Sequence, residues 1–175
     1  MTATWQIRPA APGDEGDILS VSDEATAWLV ERGLSEQWGA EPPSSEPVFV
    51  ARVSSWIVDG EAVVAIDSNG DVHGYAVTGS FPPPYMDPIV AKRAVEDAYY
   101  AYTVASRMLP ESRGVGRSLI TWAVDRAREL GVTYLRLDCW ASNALLRAYY
   151  ENLGFEECDT YVDEGWPGAV LQLRV

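Results

Sequence analysis

Asn143-Ala144-Leu145-Leu146-Arg147-Ala148-Tyr149-Tyr150-Glu151-Asn152-Leu153-Gly154-Phe155 is the stretch from which the rest of the chain becomes readable. Asn143 stands where an apolar strand gives way to a helical pattern, and asparagine caps such a helix because its side-chain oxygen accepts a backbone N–H of the first turn. Tyr150 follows seven residues later, two helical turns on, so Asn143 and Tyr150 share a face while Tyr149 points elsewhere and packs. A phenol in that position can donate a proton or a hydrogen bond while staying neutral.

Upstream lies a second informative segment, Arg113-Gly114-Val115-Gly116-Arg117-Ser118. A strand that ends in a glycine turn and feeds a helix points several free backbone N–H groups at one spot, at the positive end of the helix dipole. Gly114 and Gly116 remove side chains that would hold an anion away from those amides. Ser118 adds a hydroxyl donor, and Arg113 and Arg117 add charge. The Gly-Lys-Ser/Thr ending of nucleotide-hydrolase phosphate loops is missing, and no third glycine stands three positions after Gly116, which excludes the dinucleotide fingerprint. From this segment alone an anion site and a plain structural turn remain equal alternatives.

Working outward, Trp5 to Pro9 reads as a first strand and Pro12-Gly13-Asp14 opens a helix carrying Ile18, Leu19, Ala25, Trp28 and Leu29 as far as Gly33, with Trp28 expected to fill the core. After the loop Ala40 to Ser45, a shorter helix runs through Val48, Arg52 and Ser55–Val58. Ala62–Ile66 and Val72–Val77 flank Asp67-Ser68-Asn69-Gly70-Asp71, the composition of a hairpin turn. A proline-rich loop at Phe81 to Tyr85 is followed by a helical turn or two over Ile89 to Asp97. Tyr99–Ser106 reads as a strand into the glycine turn. Val115, Leu119, Trp122, Ala123, Ala127 and Leu130 then mark one helix face up to Gly131. Tyr134–Cys139 is a buried strand, Asn143–Asn152 a helix, and Phe155–Val162 and Ala169–Arg174 two closing strands. This order predicts a mixed α/β (α+β) fold around one sheet, and 175 residues predict a single domain over 1–175.

Composition sets limits on function. With 26 acidic against 13 basic side chains the surface repels nucleic acid and anionic membranes, so neither is expected as a partner. The start of the chain lacks a basic region followed by an apolar stretch, and no run is long enough to span a bilayer, which predicts a cytoplasmic protein. Cys139 and Cys158 have neither disulfide-scaffold nor zinc spacing, and with His73 as the single histidine no Cys/His metal cluster can be assembled. A Cys/His nucleophile would require His73 to meet Cys139.

Taken in order, the glycine turn and the Asn143–Phe155 segment resemble the two acyl-CoA-binding motifs of the GNAT (Gcn5-related) N-acetyltransferase family: Asn143, then Tyr150, then Gly154-Phe155, preceded by Gly114 and Gly116. The resemblance implies a GNAT-like acyl-CoA N-acyltransferase fold, a mixed splayed central sheet with helices on both faces. It implies transfer of an acetyl group from acetyl-CoA to a primary amine by direct attack. It also implies roles: backbone amides from Arg113, Gly114, Val115, Gly116, Arg117 and Ser118 for the CoA pyrophosphate, Asn143 beside the pantetheine arm, Tyr150 as general acid, and a backbone N–H between Ser106 and Met108 for the oxyanion.

One position departs from the pattern. Where the family carries Gln or Arg three residues before the first glycine, this chain has Glu111, so either its carboxylate faces solvent or the loop takes another path. The base that deprotonates the amine is not fixed by motif, and Asp138, Glu96, Asp97 and Tyr102 are the candidates. Asp138 alternates with Leu137 and Cys139 and should face away from the layer those residues join; a salt bridge to Arg136 is its simpler reading. Trp28, Trp38, Trp56, Tyr85, Tyr99 and Tyr100 supply aromatic faces that attract ammonium groups, so a small cationic amine is the expected acceptor. A non-catalytic acyl-CoA sensor or a GNAT-shaped interaction scaffold is the alternative, supported by Glu111. A longer acyl chain and a homodimer stay open.

Overall fold

The structure, a computed structural model, describes residues 5–86 and 97–175. Its elements run β1 (Gln6–Pro9), α1 (Glu15–Glu31), α2 (Pro47–Val58), β2 (Ala62–Ile66), β3 (Val72–Gly79), β4 (Ala98–Ser106), α3 (Val115–Glu129), β5 (Tyr134–Trp140), α4 (Ala144–Asn152), β6 (Glu156–Asp163) and β7 (Trp166–Arg174). The strands form one mixed sheet in the order β1-β2-β3-β4-β5-β7-β6. The mixed α/β architecture expected from the sequence is therefore the one observed. The helical turn expected over 89–97 and the base candidate Glu96 lie outside the described residues, apart from Asp97 at the end of that span.

By its contacts the chain divides into two compact units, Met1–Val77 with Thr103–Trp122, and Thr78–Tyr102 with Ala123–Val175. In the first, β2 is buried along its whole length and pairs antiparallel with β1 and β3. The β2–β3 turn forms because the Asp67 carboxylate accepts the backbone N–H groups of Asn69 (2.9 Å) and Asp71 (3.0 Å), and Gly70 takes φ 92°. Val63, Ala65, Ala76, Val115 and Leu119 build a core here with Trp5, Ile7, Val104 and Trp122 against it. The buried phenol of Tyr75 shares a 2.8 Å hydrogen bond with the Ser22 hydroxyl of α1, which satisfies both groups.

In the second unit β4 and β5 pair in parallel, from Ala98–Tyr134 to Ala101–Leu137. β5 also pairs antiparallel with β7 along its whole length, and β7 pairs with β6. Leu135, Leu137 and Cys139 are buried along one side of β5. On the alternate positions Arg136, also buried, donates to the Gln172 side-chain carbonyl (3.2 Å), whose amide in turn donates to Glu156 (3.2 Å).

Two side chains depart from their expected packing. Leu130 is 42% exposed because α3 ends at Glu129, one residue short of it, so the helix does not carry it onto the buried face. Tyr149 is 37% exposed and packs edge-on against Tyr150. Trp28 does not fill the core; it is half-buried, with the Arg32 guanidinium 3.9 Å above its ring. An arginine one helical turn on covers the indole by cation–π contact in place of core side chains.

Candidate functional site

In the first unit, β4 ends at Ser106 and leads through a short 3-10 turn, Pro110–Ser112, to the glycine turn. Arg107 anchors the start of this segment. Its backbone N–H donates to the His73 carbonyl (2.8 Å), its Nε to the Val72 carbonyl (2.8 Å), and its guanidinium contacts Ser20 (3.1 Å), Asp17 (3.3 Å) and Glu24 of α1. Backbone N–H groups alternate in direction along extended chain, so with Arg107 bonded to β3 the amide of Ser106 is directed away from it. Met108 follows, 41% exposed.

Gly114 takes φ 91°, and a Cβ built there meets nothing within 4 Å, so its surroundings are open for a ligand to approach the backbone. The Ser118 N–H donates to the Gly114 carbonyl (3.0 Å), and the Arg113 N–H donates to the Pro110 carbonyl (3.3 Å). The amides that helix geometry leaves over are those of Gly114, Val115, Gly116 and Arg117, a narrower set than Arg113 to Ser118. Arg113 and Arg117 are exposed and Ser118 half-buried. Glu111 is exposed in the preceding 3-10 turn. Open backbone with cationic side chains beside it fits the diphosphate of a CoA thioester.

In the second unit the sequence-predicted residues sit on β5 and α4. Asn143 is 3% exposed and its Oδ1 accepts the Leu146 N–H (3.1 Å), the expected cap. Tyr150 is 6% exposed, with Tyr149 (5.4 Å between ring centroids) and Phe155 (5.7 Å) edge-on to it. Its hydroxyl bonds no other described residue. Burial, then the neighbouring Cys139, Tyr149 and Asp138, holds its pKa well above the ordinary phenol range, so it stays protonated.

Asp138 faces away from Leu137 and Cys139, as the strand alternation predicts. It accepts hydrogen bonds from the hydroxyls of Tyr161 and, at 3.4 Å, Tyr85. Loss of hydration raises its pKa to about 6, against the lowering effect of the two tyrosine donors. The Tyr161 ring stacks on Tyr85 (5.7 Å) and tilts against Trp166 (5.8 Å), so the carboxylate is held by two tyrosines, one of them backed by a tryptophan. Tyr161 reaches this position because its strand partner is Gly168: a Cβ at Gly168 would stand 2.2 Å from the Tyr161 ring. The same desolvation pushes the Cys139 thiol up to about 12, which removes its nucleophilic character at neutral pH.

Of the other aromatics named from sequence, Tyr85 joins Asp138. Tyr99 shares a 2.8 Å hydrogen bond with Thr78, Tyr100 packs with Met86, Tyr161 and Val170, and Trp56 packs edge-on against Phe49 (5.8 Å). Tyr102 donates to the Phe81 carbonyl, and the Asp97 carbonyl accepts the N–H groups of Thr133 and Tyr134. Sequence reasoning did not find Tyr161 and Trp166; the one signal available was Gly168 within a strand, which marks a close approach by another group.

One β-α connection thus carries a glycine turn with amides that the helix leaves over, and the next carries a buried tyrosine two turns after a helix-capping asparagine. The chain belongs to the acetyltransferase (GNAT) family, whose pattern it matches over residues 24–155; enzymes of this family take the acetyl group from acetyl-CoA. The chain is 29% identical over 142 residues to a [ribosomal protein bS18]-alanine N-acetyltransferase of Salmonella typhimurium, covering 80% of this chain and 79% of that one. Among solved structures it is similar to a GNAT-family acetyltransferase of Listeria monocytogenes (TM-score 0.77, 24% identity, 100% of this chain and 99% of that one). It is also similar to yncA of Salmonella typhimurium, solved with its cofactor acetyl-CoA (TM-score 0.65, 21% identity, 98% and 94%).

Proposed function

We propose that the protein acetylates the primary amine of a small cationic molecule, with Asp138 as the acceptor-side base and Tyr150 as the general acid. The observation that carries this reading is the Asp138 carboxylate held by Tyr85 and Tyr161, with Trp166 against the Tyr161 ring. Aromatic faces attract an ammonium group and a carboxylate neutralises it. With its pKa near 6 the carboxylate is ionised at neutral pH, yet basic enough to accept a proton.

Acetyl-CoA supplies the acetyl group as a thioester. The first unit's part is binding: the amides of Gly114 to Arg117 accept the diphosphate and the amide of Ser106 or Met108 donates to the carbonyl oxygen as charge develops on it. The second unit's part is proton traffic. Asp138 takes a proton from the ammonium, the amine nitrogen bonds the acetyl carbon, the carbon–sulfur bond breaks, and Tyr150 gives its proton to the departing sulfur; the second proton that the nitrogen loses on becoming an amide restores the Tyr150 phenol, and Asp138 releases its proton to solvent. Asn143 fixes the start of α4 and with it Tyr150.

A second reading is favoured by the relative that acts on ribosomal protein alanine: the acceptor is the N-terminal amine of a polypeptide. Such an α-amine has a pKa of about 8 and a lysine-type amine about 10.4, so Asp138 is the better-matched base for the α-amine. The test is a CoA-release assay with diamines, amino sugars and alanine-terminated peptides. Turnover of the small amines supports the first reading and turnover confined to peptides the second. Binding of acetyl-CoA with no turnover of any amine would replace both with a sensor.

A further inference from the structure

We infer that His73 is a positioning residue for the donor site, holding the glycine turn through Ser112; the inference rests on the reading of that turn as the acetyl-CoA diphosphate site. No motif marks His73. It lies on β3, and its two polar ends contact the two ends of the segment that leads into the turn. Its carbonyl accepts the Arg107 N–H (2.8 Å), and its Nδ1 shares a 2.8 Å hydrogen bond with the Ser112 hydroxyl.

Ser112 is 3% exposed and is the last residue of the 3-10 turn, two positions before Gly114. A buried hydroxyl without a partner would be costly, so the imidazole fixes where Ser112 sits. The imidazole is itself fixed. The Asp67 carboxylate lies 3.7 Å from Nε2, and the Trp5 ring packs against it at 4.9 Å. A carboxylate on the Nε2 side favours the tautomer that carries its proton there, leaving Nδ1 to accept from Ser112.

The adjacent residue gives the same result by shape. A Cβ at Gly74 would stand 2.5 Å from Val115 Cγ1 and 2.6 Å from the Ala105 carbonyl oxygen. Val115 is the first residue of α3, so β3 at residues 73–74 is the surface on which the N-terminus of that helix is seated. His73 fixes the approach to the turn and Gly74 the exit from it.

The role predicts an effect on donor binding alone. His73→Ala should raise the Kd and KM for acetyl-CoA roughly fivefold, the size of one neutral hydrogen bond, with kcat at saturating donor and the amine KM unchanged. Ser112→Ala should do the same, and the double variant no more than either. His73→Asn, which keeps a polar atom at the Nδ1 position, should bind acetyl-CoA within about twofold of the parent. Titration calorimetry with acetyl-CoA and steady-state kinetics give these numbers; if His73→Ala does not fold, Ser112→Ala carries the test. Gly114→Val separates the two layers of the argument. If Gly114→Val loses acetyl-CoA and His73→Ala and Ser112→Ala bind it normally, the inference fails alone. If Gly114→Val binds it normally, the reading of the turn fails. A fall in kcat together with thermal stability that His73→Asn does not restore would reduce His73 to a structural residue and overturn the inference.

Discussion

The glycine turn of the first unit and the carboxylate cluster of the second are built from different materials. At Gly114 to Arg117 the groups proposed to bind are backbone amides, which every residue except proline carries; what matters for them is conformation, a φ of 91° at Gly114 and a helix starting directly after it. At Asp138 the groups proposed to act are particular side chains from separate segments: a carboxylate on β5, Tyr85 from the loop before β4 and Tyr161 from β6, the last backed by Trp166 from β7. The first kind of site tolerates side-chain changes and fails when the backbone moves. The second fails when one side chain is removed and tolerates changes elsewhere along its strands.

The sharpest way to break that contrast is Asp138→Asn. It should lower kcat/KM for the amine about a thousandfold, the upper part of the range for loss of a positioned base, and leave the KM for acetyl-CoA unmoved. The pH profile checks the assignment. Activity of the parent should rise as pH climbs through about 6, where Asp138 ionises, and the variant should lose that limb. Stability moves in the opposite sense: because folding raises the carboxyl pKa, the native state binds its proton more tightly, and stability falls as pH rises from the ordinary carboxylate range to about 6. Thermal melts of Asp138→Asn should lack that decline.

Tyr150→Phe tests the same unit at the leaving group. Turnover should fall about a hundredfold, with acetyl-CoA affinity unchanged, because the variant loses the hydroxyl that the proposed mechanism uses in proton transfer and keeps the ring packing against Tyr149 and Phe155. Unchanged turnover with the true acceptor would remove Tyr150 from the mechanism.

Gly168→Ala probes how the second unit aims its carboxylate. The new Cβ would stand 2.2 Å from the Tyr161 ring, forcing the ring off β7 and its hydroxyl away from Asp138. A loss of about tenfold in kcat/KM for the amine is expected, with donor affinity intact, since one supporting hydrogen bond to a charged group is lost. Crystallography of the variant would show whether the ring has moved.

The contrast also explains what could be read without coordinates. The glycine turn and the Asn143–Tyr150 spacing are local, so sequence reports them, and the order of strands and helices follows from their hydrophobic periods. Asp138 was reachable because strand alternation separates it from Leu137 and Cys139. Tyr161 and Trp166 were not, because the β6–β7 register that places Tyr161 opposite Gly168 exists only after folding. His73 gave no signal either: its partners Ser112 and Asp67 come from different connections, and one polar residue in a strand has no period to read. Trp28 was misplaced for a related reason, since its companion is an exposed arginine and not the core.

The smallest effect is the most exacting for the first unit. Glu111 stands where the family carries a cationic or amide side chain, and a carboxylate facing a diphosphate would cost affinity by like-charge repulsion. In this chain Glu111 is exposed, in the middle of a 3-10 turn whose last residue, Ser112, is the buried one. An exposed charge at the edge of an anion site acts through water and is screened over about 8 Å at physiological ionic strength. Glu111→Gln should therefore tighten acetyl-CoA binding by about twofold or less in 0.15 M salt, and the gain should vanish as salt is raised. A tenfold, salt-resistant gain would place the carboxylate against the ligand, and the donor site would then depend on side chains as much as the acceptor site does.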